Sequence, residues 1–443
     1  MGNRLESHMA GQLTITPAKK IHGEVFIPGD KSISHRALMF AGLAKGSSRI
    51  RGFLNGSDCL ATLQLIKQLG IQVSEVSATE IILQSPGFFA EPIDILDCQN
   101  SGTTIRLFSG LLSGQSFFSV LTGSEQIRRR PMARVIQPLQ RMGAHIHGRK
   151  SDSLAPIAIS PIATLMGVDH QLDVASAQIK SCLLLAGLFA DGETSIAEPG
   201  PARDHTERML KAMGAPIKIA DNCVSIHRPN HNLQSIDVIV PGDISSAAFL
   251  IVAASIIENS HIVLKNVGIN PTRDGIIKAL QQMGASITLH HIREESGEPV
   301  ADIEVQYAPL TAITVDTNLV IRMIDELPIL AVAATQAKGT TVIKDAAELK
   351  VKETNRIDTT VQELRKMGAR IEATDDGFIV EGPTKLKGAI LDSHGDHRLA
   401  MMAVIAGLYA SNSTHVLNAD VIKDSFPGFT DCLRLLGAMI NEN

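Results

Sequence analysis

A five-residue pattern, apolar-x-x-(Leu/Met)-Gly, recurs six times along this 443-residue chain. Each copy closes a helix-like segment ahead of an apolar, strand-like one. The first reads Ile66-Lys67-Gln68-Leu69-Gly70, and the others end at Gly143, Gly214, Gly284, Gly368 and Gly437. The intervals between the glycines are 73, 71, 70, 84 and 69 residues. Glycine at this place suits the left-handed residue that ends a helix before the chain turns into a strand.

A second pattern runs in phase with the first. Six apolar, small-residue segments begin just after polar turns at Gly29-Asp30-Lys31-Ser32, Gln99-Asn100-Ser101-Gly102-Thr103 and Ala175-Ser176-Ala177-Gln178. The later turns are Gly242-Asp243-Ile244-Ser245-Ser246, Ile324-Asp325-Glu326-Leu327 and Gly395-Asp396-His397-Arg398. Two motifs repeating in step predict six α/β units of about 70 residues, longer than common solenoid repeats. Six units divide as three plus three, which predicts two lobes of similar build. The long interval coincides with the charged stretch His290 to Val300, read as a surface insertion.

Composition narrows the function. An apolar fraction of 44% and a charged fraction of 20% are those of a globular chain. The net charge of −5 excludes an extended polyanion such as nucleic acid as partner. Aromatic residues are only 3%, with no Trp, so stacking platforms for bases or sugars are not expected. No continuous apolar run reaches the ~18 residues of a membrane span, so no membrane partner is expected. No apolar run follows Arg4, Glu6 and His8, so no secretory leader is expected either, and Ser7-His8-Met9 resembles a cloning remnant. The five cysteines, Cys59, Cys98, Cys182, Cys223 and Cys432, form no metal-ligand spacing and suit a reducing cytoplasm. No metal and no cofactor is expected. Neither a phosphate-binding Walker loop nor a dinucleotide fingerprint is present.

The polar turns point to small anions. Helix N-termini carry unpaired N–H groups and a partial positive charge. Lys31 and Arg36 follow the first turn, Arg106 the second, and Arg398 opens the sixth helix. Arg128-Arg129-Arg130, Arg203 and Lys352-Glu353-Thr354-Asn355-Arg356 add further cations. Arginine forks bind carboxylate or phosphate in a bidentate way. Each feature has a plainer reading beside it. Arg128 to Arg130 and Lys352 to Arg356 also fit solvated charge; Asp30, Ser101 and Asp396 fit helix caps; His35 and His397 fit structural roles.

Pro28-Gly29-Asp30-Lys31-Ser32-Ile33-Ser34-His35-Arg36 resembles the signature of the 5-enolpyruvylshikimate-3-phosphate synthase family of enolpyruvyl transferases. Asn100 to Arg106, Arg130-Pro131-Met132, Ser176-Ala177-Gln178, Lys352 to Arg356 and Gly395 to Arg398 agree with it in order. The resemblance implies two similar α/β lobes, each of three pseudo-symmetric βαβαββ units, with the active site in the cleft between them. One lobe would hold residues 1–28 plus 243–443, the other 29–242, with the chain crossing twice. The implied reaction, in the shikimate pathway to aromatic amino acids, joins shikimate 3-phosphate to phosphoenolpyruvate and releases phosphate. Lys31, Ser32, Arg36, Ser176, Ala177 and Gln178 would hold shikimate 3-phosphate, with Arg203 a further candidate for its phosphate. Lys31, Gly102, Arg130, Arg356 and Arg398 would hold phosphoenolpyruvate. Asp325 would take the hydroxyl proton, Lys352 would bridge it to substrate, and Glu353 or Lys31 would supply a proton to C3.

Two departures stand out. Asp424 precedes Ser425-Phe426-Pro427 where many relatives place a lysine, and Lys423 is the candidate substitute. Ala177 stands where many have a second serine. Gly102 leaves room beside the phosphoenolpyruvate site, so glyphosate is a candidate inhibitor. A monomer is expected. Two other readings remain open at this point: the sister enzyme acting on UDP-N-acetylglucosamine, disfavoured because no cysteine sits in its loop context, and an inactive anion-binding module, disfavoured by the two carboxylates Asp325 and Glu353.

Overall fold

The computed structural model describes residues 11–442. The Ser7-His8-Met9 segment lies outside them. The described chain separates into two compact units. One gathers the residues up to Pro28, Gly242–Arg293 and those from Pro299 onward; the other holds Gly29–Pro241 together with Glu294–Glu298.

Six helices form the interior, three in each unit. Lys31–Leu43, Gly102–Ser113 and Ala177–Gly187 belong to the unit built on Gly29–Pro241. Ile244–Ile256, Leu327–Ala334 and His397–Tyr409 belong to the other, where all three pack on one another. A helix that is apolar on every side has to be buried, and every residue of Ile244–Ile256 is. The small residues allow close approach: a methyl group on Gly110 would lie 2.0 Å from the carbonyl oxygen of Cys182 on the neighbouring helix.

Each of the first five helices is followed by a strand, an outer helix and a hairpin; after His397–Tyr409 come a strand, an outer helix and the single strand Met439–Glu442, which pairs with Leu13–Thr16. In Leu96–Asp97, Ser119–Thr122, Leu154–Ser160 and His145–Gly148, taken in spatial order, the first pair is parallel and the others antiparallel. Thr314–Val315, Gly339–Ile343, Phe378–Gly382 and Arg370–Ala373 repeat this order in the other unit. The six repeated glycines all have positive φ, from 82° at Gly214 to 97° at Gly437. At Gly143 the glycine N–H donates to the Gln140 carbonyl, while the next residue's N–H reaches back to Leu139. The same pair of bonds recurs at all six sites, so the sequence repeat is a repeated Schellman closure of the outer helices.

Three sheets are completed by strands distant in sequence. Leu13–Thr16 lies between Thr414–Leu417 and Met439–Glu442. His22–Phe26 runs parallel to His261–Gly268, and Asp237–Ile239 runs parallel to Ala44–Arg51. The chain therefore leaves a unit just after a strand at Pro28 and again at Pro241, and Glu294–Glu298 at a hairpin tip is grouped with the second unit.

The stretch His290 to Val300, expected as a surface insertion, takes the form of an extended hairpin of Ser286–Glu295 and Glu298–Gln306. Ser296 and Gly297 both have positive φ, which suits a tight two-residue turn that keeps the strands paired. His290 and Ile292 are exposed, but Glu298 and Val300 are buried.

Candidate functional site

In the unit built on Gly29–Pro241, the predicted residues sit at helix starts. Asp30 caps Lys31–Leu43 by accepting from the Ile33 N–H at 2.9 Å, and Ser101 caps Gly102–Ser113 by accepting from Thr104 N–H at 3.2 Å. Ser176 caps Ala177–Gly187. The capping reading of Asp30 and Ser101 holds, and it places Lys31 and Gly102 as first helical residues. Ser32, Ser176, Ala177 and Gln178 are all half-buried.

The cations there are held by neutral and acidic partners. Lys31 Nζ lies 3.0 Å from Asp58 Oδ2. Arg36 is buried, donating from Nε to Thr206 Oγ1 and from Nη2 to Ser181 Oγ, each at 2.7 Å, and from Nη1 to the Ser32 carbonyl. Arg106 Nη1 donates to Gln178 Oε1 at 2.8 Å, and Gln178 Nε2 donates to Thr103 Oγ1 at 3.1 Å. A methyl group on Gly102 would sit 2.9 Å from both Arg106 Nη1 and Arg130 Nη1. Arg106, Arg130, Gly102 and Gln178 thus converge. Arg203 is half-buried in the loop before His205–Ala212.

The run Arg128-Arg129-Arg130 divides. Arg129 is a solvated residue paired with Glu125, Arg128 donates to the Gly123 carbonyl, and Arg130 caps the short helix and faces Gly102. His35 is structural: its Nδ1 is 2.7 Å from Thr62 Oγ1. Burial, reinforced by Lys31 and Arg36, holds its ring well below the usual histidine range.

In the other unit a buried guanidinium organises the predicted residues. Arg356 Nε lies 2.7 Å from Asp396 Oδ2, Nη2 lies 2.6 Å from Glu353 Oε2, and Nη1 lies 3.2 Å from Asp325 Oδ1. Lys352 Nζ is 3.0 Å from Asp325 Oδ1. Burial alone would weaken the charge on Arg356. The carboxylates of Asp396, Glu353 and Asp325 outweigh it and raise its pKa above the ordinary arginine range. Arg398 is buried, with Nη1 at 3.4 Å from the Ser245 carbonyl and 3.5 Å from Glu326 Oε1. Asp325 does not cap its helix: Glu326 holds that position, without a side-chain cap bond, and Asp325 faces the cations instead.

Three contributors carried no sequence signal that separated them from ordinary residues: Asp58 is the partner of Lys31, and Thr206 and Ser181 hold Arg36. Asp396, expected as a helix cap, is also the partner of Arg356. Arg106 stood out as a cation after a turn and as the end of the Asn100 to Arg106 stretch, without an assigned ligand. Lys423, the candidate substitute beside Asp424, is exposed and 3.5 Å from Asp420. Among the described residues no cluster of three or more His, Cys, Asp or Glu side chains is arranged to hold a metal, and no helix is long and apolar enough to cross a membrane.

A family model described as EPSP synthase (3-phosphoshikimate 1-carboxyvinyltransferase) matches residues 15–433. A 3-phosphoshikimate 1-carboxyvinyltransferase of Desulforamulus reducens is 50% identical over 425 residues, covering 96% of this chain and 99% of the relative. One from Geobacillus thermodenitrificans is also 50% identical over 425 residues, covering 95% and 98%. The solved structure of EPSP synthase from Acinetobacter baumannii superposes with a TM-score of 0.87 at 42% identity, covering 97% of this chain and 99% of that one. With six sequence-repeat units, two sets of cations at helix starts and full-length similarity of this degree, the chain belongs to the EPSP synthase (3-phosphoshikimate 1-carboxyvinyltransferase) family.

Proposed function

We propose that this chain transfers the enolpyruvyl group of phosphoenolpyruvate to the 5-hydroxyl of shikimate 3-phosphate, in the shikimate pathway to aromatic amino acids. The hydroxyl oxygen adds to C2 of the enol phosphate as C3 gains a proton. The C2–O bond to phosphate then breaks, C3 returns a proton, and an enolpyruvyl ether and inorganic phosphate result.

The observation that carries the reading is the setting of Asp325 between Lys352 and Arg356. A carboxylate flanked by two cations stays ionised and suits a general base. In this reading Asp325 accepts the hydroxyl proton, Lys352 links it to substrate, and Glu353 or Lys31 serves C3. Lys31, Ser32, Arg36, Ser176, Ala177, Gln178 and Arg203 take shikimate 3-phosphate. Lys31, Gly102, Arg130, Arg356 and Arg398 take phosphoenolpyruvate. Arg356 directs its nitrogens to three carboxylates, so a substrate carboxylate or phosphate has to share it with them.

The same reading makes residues 1–28 plus 243–443 and residues 29–242 the two working lobes, places the protein in the cytoplasm as a monomer, and makes glyphosate a candidate inhibitor. The five described cysteines are all free, which suits a reducing compartment. Purified protein mixed with shikimate 3-phosphate and phosphoenolpyruvate is expected to release phosphate. Release only with UDP-N-acetylglucosamine as acceptor, or with neither acceptor, would overturn the assignment.

A further inference from the structure

Behind the Ser176-Ala177-Gln178 helix start lies a charge cluster that the reaction does not use directly. Lys180, one turn into that helix, is 3% exposed. Its Nζ lies 2.7 Å from Glu198 Oε2 and 2.7 Å from Glu207 Oε1, and it donates to the Ala202 carbonyl at 3.2 Å. Glu198 follows the strand Glu193–Ala197, and Glu207 lies in the helix His205–Ala212. One ammonium therefore ties a helix start, a strand end, a second helix and the loop between them.

The charges do not balance as a simple ion pair would. Two buried carboxylates face one cation, and Glu198 Oε1 and Glu207 Oε2 have no hydrogen-bond partner. Burial pushes the Glu198 carboxyl upward despite Lys180. Burial would likewise lower the Lys180 ammonium, but Glu207 and Glu198 outweigh it and raise its pKa. Such a cluster is an expensive way to hold three elements together, since well-packed apolar residues often do so equally well. What apolar residues cannot do is fix a backbone carbonyl.

That carbonyl belongs to the residue before Arg203. On the other side, Asp204 Oδ2 accepts from Arg208 Nε at 2.8 Å, and His205 Nδ1 lies 2.7 Å from Glu298 Oε1. Arg203 is thus bracketed by two anchored residues, in a loop stiffened by Pro199 and Pro201. We propose that Lys180 is a positioning residue that locks the Arg203 loop to the Ser176-Ala177-Gln178 helix start, and so sets affinity for the phosphorylated hydroxy acid. The proposal rests on the functional reading above, in which both segments hold shikimate 3-phosphate.

The test separates positioning from mere stability. The triple variant Lys180→Met, Glu198→Gln, Glu207→Gln removes the ammonium without stranding buried carboxylates. It is expected to keep the native KM for phosphoenolpyruvate while KM for shikimate 3-phosphate rises about tenfold. In an Arg203→Ala background the same three changes are expected to add little, because the residue they position is gone. A folded triple variant with native KM for both substrates, or a full additional loss without Arg203, would overturn the role. If the triple variant does not fold, Lys180→Arg keeps the charge but replaces the single ammonium that meets three acceptors by a larger, planar fork. It should still raise KM for shikimate 3-phosphate alone, and two native KM values would again refute the proposal. Wild-type turnover is the control: its absence refutes the functional reading, whereas an active wild type beside an unaffected variant refutes only Lys180.

Discussion

Lys352 Nζ and Arg356 Nη1 both approach Asp325 Oδ1, at 3.0 and 3.2 Å, so one carboxylate oxygen carries two cations. Asp325→Asn keeps the shape and removes the proton acceptor. Turnover is expected to fall by about 10²–10⁴, the usual worth of a general base, with shikimate 3-phosphate still binding. Phosphate-release kinetics together with calorimetric binding check this. Turnover near wild type would assign the base elsewhere.

Gly102 is under a different constraint, because its neighbours are the ends of flexible side chains. The 2.9 Å approach of a methyl group to Arg106 Nη1 and Arg130 Nη1 requires both guanidinium groups to shift. Gly102→Ala is expected to raise KM for phosphoenolpyruvate by roughly tenfold, the scale of an ångström-level misplacement, while the melting temperature hardly changes. Steady-state kinetics with each substrate varied in turn decide it: an effect on shikimate 3-phosphate alone would contradict the placement of Gly102.

What could be read in advance divides along physical lines. The Schellman glycines and the polar helix starts are local features, set within a few residues, and both are visible along the chain. The partners of the cations are not: Asp58 reaches Lys31 and Asp396 reaches Arg356 only through the tertiary fold. Asp58 looks like any acidic residue in the first turn of a helix, and it is one. The charge of the stretch from His290 marked it as surface, while its form as a hairpin lies in the Ser296-Gly297 turn signal within it.

The repeated glycines give a clean stability test. Gly368 has φ of 86°, and a methyl group there would meet nothing within 4 Å. Only backbone strain opposes Gly368→Ala, so it is expected to cost about 1–2 kcal/mol and lower the melting temperature by a few degrees, with kinetics unchanged. An unchanged thermal transition would show that the left-handed closure is not needed.

His170 predicts a pH dependence. It is buried in the strand Asp169–Gln171, neither ring nitrogen has a hydrogen-bond partner, and burial, with Arg141 nearby, lowers its pKa to about 4. The unfolded chain takes up the proton near the ordinary value of about 6.5, which the native state resists. The stabilisation is therefore complete above about 6.5 and is lost as pH falls toward 4. Urea midpoints at pH 7, 6 and 5 should fall less steeply for His170→Leu than for wild type. His35, lowered in the same direction, keeps some slope in the variant. Parallel slopes would remove His170 from the acid response.

The strand Leu13–Thr16 has a consequence for how this chain is made. Its two sheet neighbours are Thr414–Leu417 and Met439–Glu442, which leave the ribosome roughly 400 residues after it. At roughly 5–20 residues per second, an early strand waits some 20 seconds or more with both edges unpaired. Most of the other unit, Gly29–Pro241, is contiguous, and only Glu294–Glu298 joins it later. Synthesis therefore imposes an order: most of the middle of the polypeptide is present before the partners of Leu13–Thr16 exist.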